Sequence, residues 1–162
     1  MNKDTYYLGI DPGRSKTGLA LVDRAGTIVA LHIAMTEHID QELHAFVATY
    51  TLGGIVMGDG TNSKSISAAV RRAFPGVPLA LIGEAHSTEE ARTLYWQVNP
   101  PQGWRRLVPL GMLVPPQPLD AYAAVVQVRR WLAKRFKAMW PNTMLCLTHS
   151  FFYSMQQALL IL

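Results

Sequence analysis

The feature that most constrains this chain is a change of hydrophobic period near residue 38. Before it, apolar residues come in short runs cut by tight turns. Tyr6–Ile10 ends at Asp11-Pro12-Gly13, Thr17–Val22 ends at the turn Asp23–Gly26, and Thr27–Ala34 alternates Val29, Leu31 and Ile33 with smaller residues. Three such runs joined by short turns predict an antiparallel meander. After it, Ile39, Leu43, Phe46, Val47 and Tyr50 recur at helical spacing, and Gly54–Met57 reads as a compact buried strand closed by Gly58-Asp59-Gly60. Ile66, Ala69, Val70, Ala73 and Phe74 form a second helical face, stopped by Pro75-Gly76, and Val77–Ile82 reads as a fifth strand. Ser87 and Glu90 have capping-box spacing for a helix starting near Thr88. Leu119–Phe136 is a further helix, with Arg129, Arg130, Lys134 and Arg135 toward its C-terminus, where cations suit the dipole. The order βββαβαβα predicts an α/β fold: a mixed five-stranded sheet, three antiparallel strands then two parallel ones, with helices on both faces.

Composition narrows the class. The 162 residues suit one domain, expected over 6–136, with 137–162 as an apolar C-terminal tail. Lys and Arg outnumber Asp and Glu 15 to 11, and the net charge of +4 favours an anionic partner without specifying one. Cys146 is the only cysteine, which excludes a disulfide framework and a cysteine-based zinc site and makes the cytoplasm the expected setting. The polar start, Met1–Thr5, predicts no secretory signal. Residues 143–162 are apolar but broken by His149, Ser150, Ser154, Gln156 and Gln157, so no membrane span is expected. The tail is compatible with packing on the domain or with homodimerisation.

Three carboxylates fall where such a sheet would collect them. Asp11 ends the first strand, Glu84 ends the fifth, and Asp120 opens the last long helix. Ligands of open α/β sheets bind outside the carboxyl ends of the strands. Clustered carboxylates repel one another unless a cation is present, and hard cations such as Mg²⁺ take oxygen ligands. Two such ions about 3.5–4 Å apart can clamp the attacking and leaving oxygens of a phosphodiester. Singly, each acid also has a structural reading: a turn aspartate, a solvated strand end, a helix N-terminal charge.

These residues carry a family resemblance. Leu8-Gly9-Ile10-Asp11-Pro12-Gly13 with Lys16-Thr17-Gly18-Leu19-Ala20 resembles the first hairpin of RuvC- and YqgF-type proteins. Gly83-Glu84-Ala85-His86-Ser87-Thr88-Glu89-Glu90-Ala91 resembles the Asp-Glu-Arg-x-[Ser/Thr]-Thr-x-Glu-Ala stretch of the YqgF group, and Asp120-Ala121-Tyr122-Ala123-Ala124 its final acidic helix start. The resemblance spans roughly residues 6–135. It implies an RNase H-like fold and a Mg²⁺- or Mn²⁺-dependent phosphodiesterase built on Asp11, Glu84 and Asp120, acting on structured RNA or branched DNA. Gly83 and Ala85 depart from the pattern, removing a second acid and a phosphate contact. Gly58-Asp59-Gly60-Thr61 is similar to the Gly-Asn-Gly-Thr turn of related domains in transcription accessory proteins, which implies a second reading as a nucleic-acid-binding module without catalysis.

Basic and hydroxyl residues flank these acids. Arg14, Ser15 and Lys16 follow Asp11, and Asn62, Ser63 and Lys64 open the helix after the Gly-Asp-Gly turn, where an N-terminus attracts anions. These six are the candidate phosphate contacts. Arg71, Arg72, Arg105 and Arg106 add charge elsewhere. Asp59 is a candidate accessory ligand and His86 a candidate proton-transfer group. Trp96 and Trp104 flank the segment Asn99–Pro118, whose six prolines exclude a long regular element; each is expected to pack, with base stacking as the alternative. Sugar kinases and actin-like ATPases share a Gly-Ile-Asp-x-Gly opening, but need two such domains around a nucleotide cleft, which excludes them as the reading of this chain.

Overall fold

The structure, a computed structural model, describes residues 5–60, 62–83 and 87–139. Strands β1 (Thr5–Asp11), β2 (Lys16–Val22) and β3 (Ile28–Met35) form the antiparallel meander. Helix α1 (Ile39–Val47) leads to β4 (Thr51–Gly58), and α2 (Ser63–Ala73) to β5 (Leu79–Ile82). Helices α3 (Ser87–Val98) and α4 (Asp120–Met139) follow. The five strands lie in the order β3-β2-β1-β4-β5, with β4 parallel to β1 and β5 parallel to β4. Of the chain's two compact units, residues 1–131 contain the whole sheet.

The two faces of the sheet are built differently. Leu8, Ile10, Leu19, Leu21, Ile55 and Met57 point to one face and meet Ile39 and Leu43 of α1 and Ile66 and Val70 of α2 in a continuous apolar core. Each of these large side chains contributes roughly 1.5–3 kcal/mol on burial. Alternation sends Tyr7, Gly9 and Asp11 to the opposite face. There the neighbours are small, because Gly9 pairs with Ala20 and Asp11 with Gly18. α4 lies directly on that stripe: a Cβ on Gly9 would meet the Ala124 carbonyl and come within 2.8 Å of Val128 Cγ2, and one on Gly18 would collide with the Asp120 backbone. Tyr7 closes the far end, its ring 5.5 Å from that of Trp131. α3 joins the layer through Tyr95, whose ring lies edge-on to Tyr122 at 5.3 Å.

Sequence-based boundaries shift where hydrogen bonding overrides the hydrophobic pattern. β5 begins at Leu79, not Val77, because the Val77 N–H closes a turn onto the Phe74 carbonyl. β4 begins at Thr51, not Gly54, because Thr5 and Tyr6 pair with Thr51 and Leu52 before a bulge shifts the register. The proline-rich segment holds only two 3₁₀ turns, Gly103–Leu107 and Leu110–Met112, and Arg92 of α3 pins it by donating to the carbonyls of Gly111 and Leu113. Among the described residues no helix is long and apolar enough to cross a membrane. The expected tail lies outside the described residues beyond Met139.

Candidate functional site

β1, β4 and β5 all run toward the same end of the sheet, and of the candidate acids Asp11, Asp59 and Asp120 lie among the described residues there. Asp11 ends the central strand, half-buried, on the α4 face. Its ladder partner is Gly18, and Gly18 is the residue on which the Asp120 backbone rests. Because Gly18 has no side chain, the start of α4 descends onto the sheet beside Asp11. Asp120 occupies the first turn of that helix, where the dipole favours a negative charge, and the Leu119 carbonyl accepts the Ala123 N–H at 2.8 Å to fix the turn.

A third residue completes this group, and sequence reasoning missed it. Gln127 is fully buried, with no exposed surface, and its Nε2 donates to Asp11 Oδ1 at 2.8 Å. It lies two turns after Asp120 on the same side of α4, and helical side chains lean toward the N-terminus, which is how it reaches back to Asp11. Its Oε1 is buried with no hydrogen-bond partner among the described residues. The available signal was one amide in the otherwise apolar run Ala121–Val128.

Asp59 follows β4 directly; its side chain is exposed and its N–H donates to the Ile82 carbonyl at 3.0 Å. Gly83 follows β5 at the same edge, but Glu84 and His86 lie outside the described residues. Among the described residues no three His, Cys, Asp or Glu side chains form a metal-holding group. Asp11 and Asp120 bring carboxylate oxygens of the kind a hard cation such as Mg²⁺ or Mn²⁺ takes; a site there needs further ligands.

The hydroxyl and basic residues divide into two kinds. Arg14, Ser15 and Lys16 are exposed on the β1–β2 turn, and Lys64 is exposed in the first turn of α2. Asn62 is a tether: its Nδ2 donates to the Gly13 carbonyl at 3.2 Å, and that carbonyl also accepts Thr36 Oγ1 at 3.2 Å. Thr36 in turn meets the buried Thr17 hydroxyl at 2.9 Å, and its N–H donates to the Ser15 carbonyl at 3.0 Å. The ties bring the Asp11–Lys16 turn against the start of α2, so backbone N–H groups of a helix terminus and three cations share one surface. Half-buried Ser63 is held through its N–H by the Gly60 carbonyl at 2.9 Å. Arg129 is structural: Nε donates to the Gly26 carbonyl at 2.8 Å, and burial lowers its pKa, with the charge of Asp23 opposing.

The two tryptophans part company. Trp96 is packed in α3 against Tyr95 at 4.9 Å, whereas Trp104 is 72% exposed in a 3₁₀ turn beside exposed Arg105 and Arg106. The expectation that both pack fails at Trp104, which lies on a turn outside the helices and their apolar face.

No family model and no curated protein sequence matches the chain. Solved structures do. Thermus thermophilus RuvC superposes with a TM-score of 0.57 at 15% identity, covering 82% of this chain and 96% of that one. The chain has the RNase H-like fold of RuvC. T. thermophilus RuvC in complex with a Holliday junction substrate matches at a TM-score of 0.54, 15% identity and the same coverage. A ROK family glucokinase from Streptomyces griseus gives a TM-score of only 0.39 at 18% identity, over 54% of this chain and 36% of that one. At such identity the likeness to RuvC establishes the fold alone.

Proposed function

We propose that the chain is a metal-dependent endonuclease of the RuvC/YqgF type, acting on structured nucleic acid: a branched DNA or a folded precursor RNA. One observation carries the reading, the descent of Asp120 onto Gly18 beside Asp11 at the carboxyl end of the central strand. Asp11, Asp120 and Glu84 are the proposed catalytic residues and ligands of Mg²⁺ or Mn²⁺. A bound divalent ion supplies Lewis acidity toward a phosphodiester and lowers the pKa of a bound water. The chain's own residues orient the substrate. Arg14, Lys16 and Lys64 draw the phosphates to the acidic edge, Ser15 and Ser63 add donors, and Asn62 holds the turn that presents them. Asp59 is proposed as an accessory acid and His86 as the group that moves a proton. Trp104, with Arg105 and Arg106, offers a stacking face for an unpaired base. The solved RuvC complex with a Holliday junction supports branched DNA as the first substrate to test.

Gly83 and Ala85 favour a second reading, a nucleic-acid-binding module on the same fold, because the resemblance has an acid and an arginine at those positions. A cleavage screen separates the two. Four-way DNA junctions and a hairpin precursor RNA are incubated with the protein in Mg²⁺, Mn²⁺ or EDTA. Metal-dependent cutting absent from Asp11→Asn supports the enzyme; tight binding without cutting in any metal supports the module.

A further inference from the structure

Gln127 is an unusual residue to bury. Its neighbours along α4, Ala121–Val126 and Val128, are apolar and buried, and it is itself wholly inaccessible. Only one end of its amide is satisfied among the described residues: Nε2 donates to Asp11 Oδ1 at 2.8 Å, and Oε1 has no partner. The orientation is fixed by chemistry, since turning the amide would set Oε1 against a carboxylate oxygen. A methionine or leucine would fill similar space and remove the partnerless Oε1 in exchange for one hydrogen bond to half-buried Asp11, so stability gives the amide little net advantage.

We infer that Gln127 is the positioning residue of Asp11, holding its carboxylate plane in the orientation the metal site requires without touching the ion. The inference rests on the metal-dependent reading above. An aspartate at a strand end can turn about two side-chain bonds, and a donor fixed to a rigid helix selects one orientation. The same helix carries Asp120 two turns earlier, so one rigid element sets both the position of one acid and the orientation of the other. Partners that orient metal ligands influence affinity strongly; their loss typically costs about 10–100-fold.

The experiment uses the full chain and Mn²⁺ as the probe. Gln127→Met, Gln127→Leu and Asp11→Asn are compared with the original protein by calorimetric Mn²⁺ titration, by electron paramagnetic resonance of bound Mn²⁺, and by thermal unfolding in EDTA. Expected is a metal-free unfolding temperature for Gln127→Met within a few degrees of the original, since the lost hydrogen bond and the removed partnerless oxygen oppose one another, with Mn²⁺ affinity down about 10–100-fold and an altered spectrum at saturation. Original affinity and spectrum in Gln127→Met and Gln127→Leu, with binding lost in Asp11→Asn, would overturn the role of Gln127 and leave the metal site standing. A metal-free unfolding temperature lowered by more than about 10 °C in both would also overturn it, since stability would then explain the amide. Mn²⁺ binding that is absent from the original protein, or unchanged in Asp11→Asn, would remove the metal reading and this inference with it.

Discussion

Gly18→Ala is the most direct test of how the site is assembled. An alanine Cβ at this position would fall on the carbonyl carbon and oxygen of Asp120 and on the Ala121 nitrogen, all backbone atoms that no rotamer change can move aside. Restoring carbon contacts of about 3.5 Å requires the start of α4 to retreat by about an ångström. Overpacking against backbone costs about 3 kcal/mol at the upper end of its usual range. Removing a glycine from a strand returns roughly 0.5–1 kcal/mol. The net loss is about 2 kcal/mol, a fall in unfolding temperature of about 4–8 °C for a domain of this size. The same retreat carries Asp120 away from Asp11 by about twice the roughly 0.5 Å that a functional constellation tolerates, so Mn²⁺ affinity should fall at least about tenfold. Gly76→Ala is the control: a Cβ there meets nothing within 4 Å. Urea unfolding in EDTA gives the stability term, and calorimetry gives the metal term. If Gly18→Ala is as stable as Gly76→Ala and binds Mn²⁺ like the original protein, the close approach of α4 to β2 is wrong and the proposed site loses its foundation.

Asp11→Asn and Asp120→Asn should each abolish metal-dependent cleavage with circular dichroism unchanged, while Asp59→Asn, on an exposed residue between two glycines, should retain most activity; loss of cleavage in Asp59→Asn alone would put it among the essential ligands. Trp104→Ala should leave the unfolding temperature unchanged and weaken binding to DNA with unpaired bases about 5–100-fold, the equivalent of one lost stacking contact, as read by fluorescence anisotropy. Arg92→Met removes both hydrogen bonds to the Gly111 and Leu113 carbonyls. It should speed protease nicking between Gly103 and Val114 several-fold while the sheet keeps its hydrogen-exchange protection. Thr17→Val deletes the buried hydroxyl facing Thr36 and should cost about 1 kcal/mol in urea unfolding.

The sheet was legible because its strands are marked by two independent signals, period-2 runs and turn residues, and because strand–helix–strand connections leave little choice of direction. Strand ends were less legible. Pairing decides them, so Asp11 belongs to β1 through its bond to the Gly18 position and Thr51 belongs to β4 through Thr5. Asp11 and Asp120 could be singled out from their places at an element end and an element start. That Gly18 mediates between them could not, since a glycine in a hairpin also reads as a turn or a weak strand position. Gln127 was hidden for a related reason: its partner lies 116 residues away in the chain, and a single amide in an apolar helix carries no period. The tryptophans make the same point from the other side. Identical side chains a few residues apart end in opposite environments because Trp96 falls on the inner face of α3 and Trp104 on a proline-bounded turn.

The long loop closure between Asp11 and Gln127 has a temporal consequence. A ribosome releases the central hairpin early, and the meander with its first two helices can compact while the remainder is still being made. Asp11 and Asp120 are not brought together during that interval, because Asp120 travels on α4, the last helix among the described residues. On the proposed function, a nascent chain of this kind is silent toward nucleic acid until α4 docks. Stalled or prematurely terminated products lacking α4 inherit the same silence.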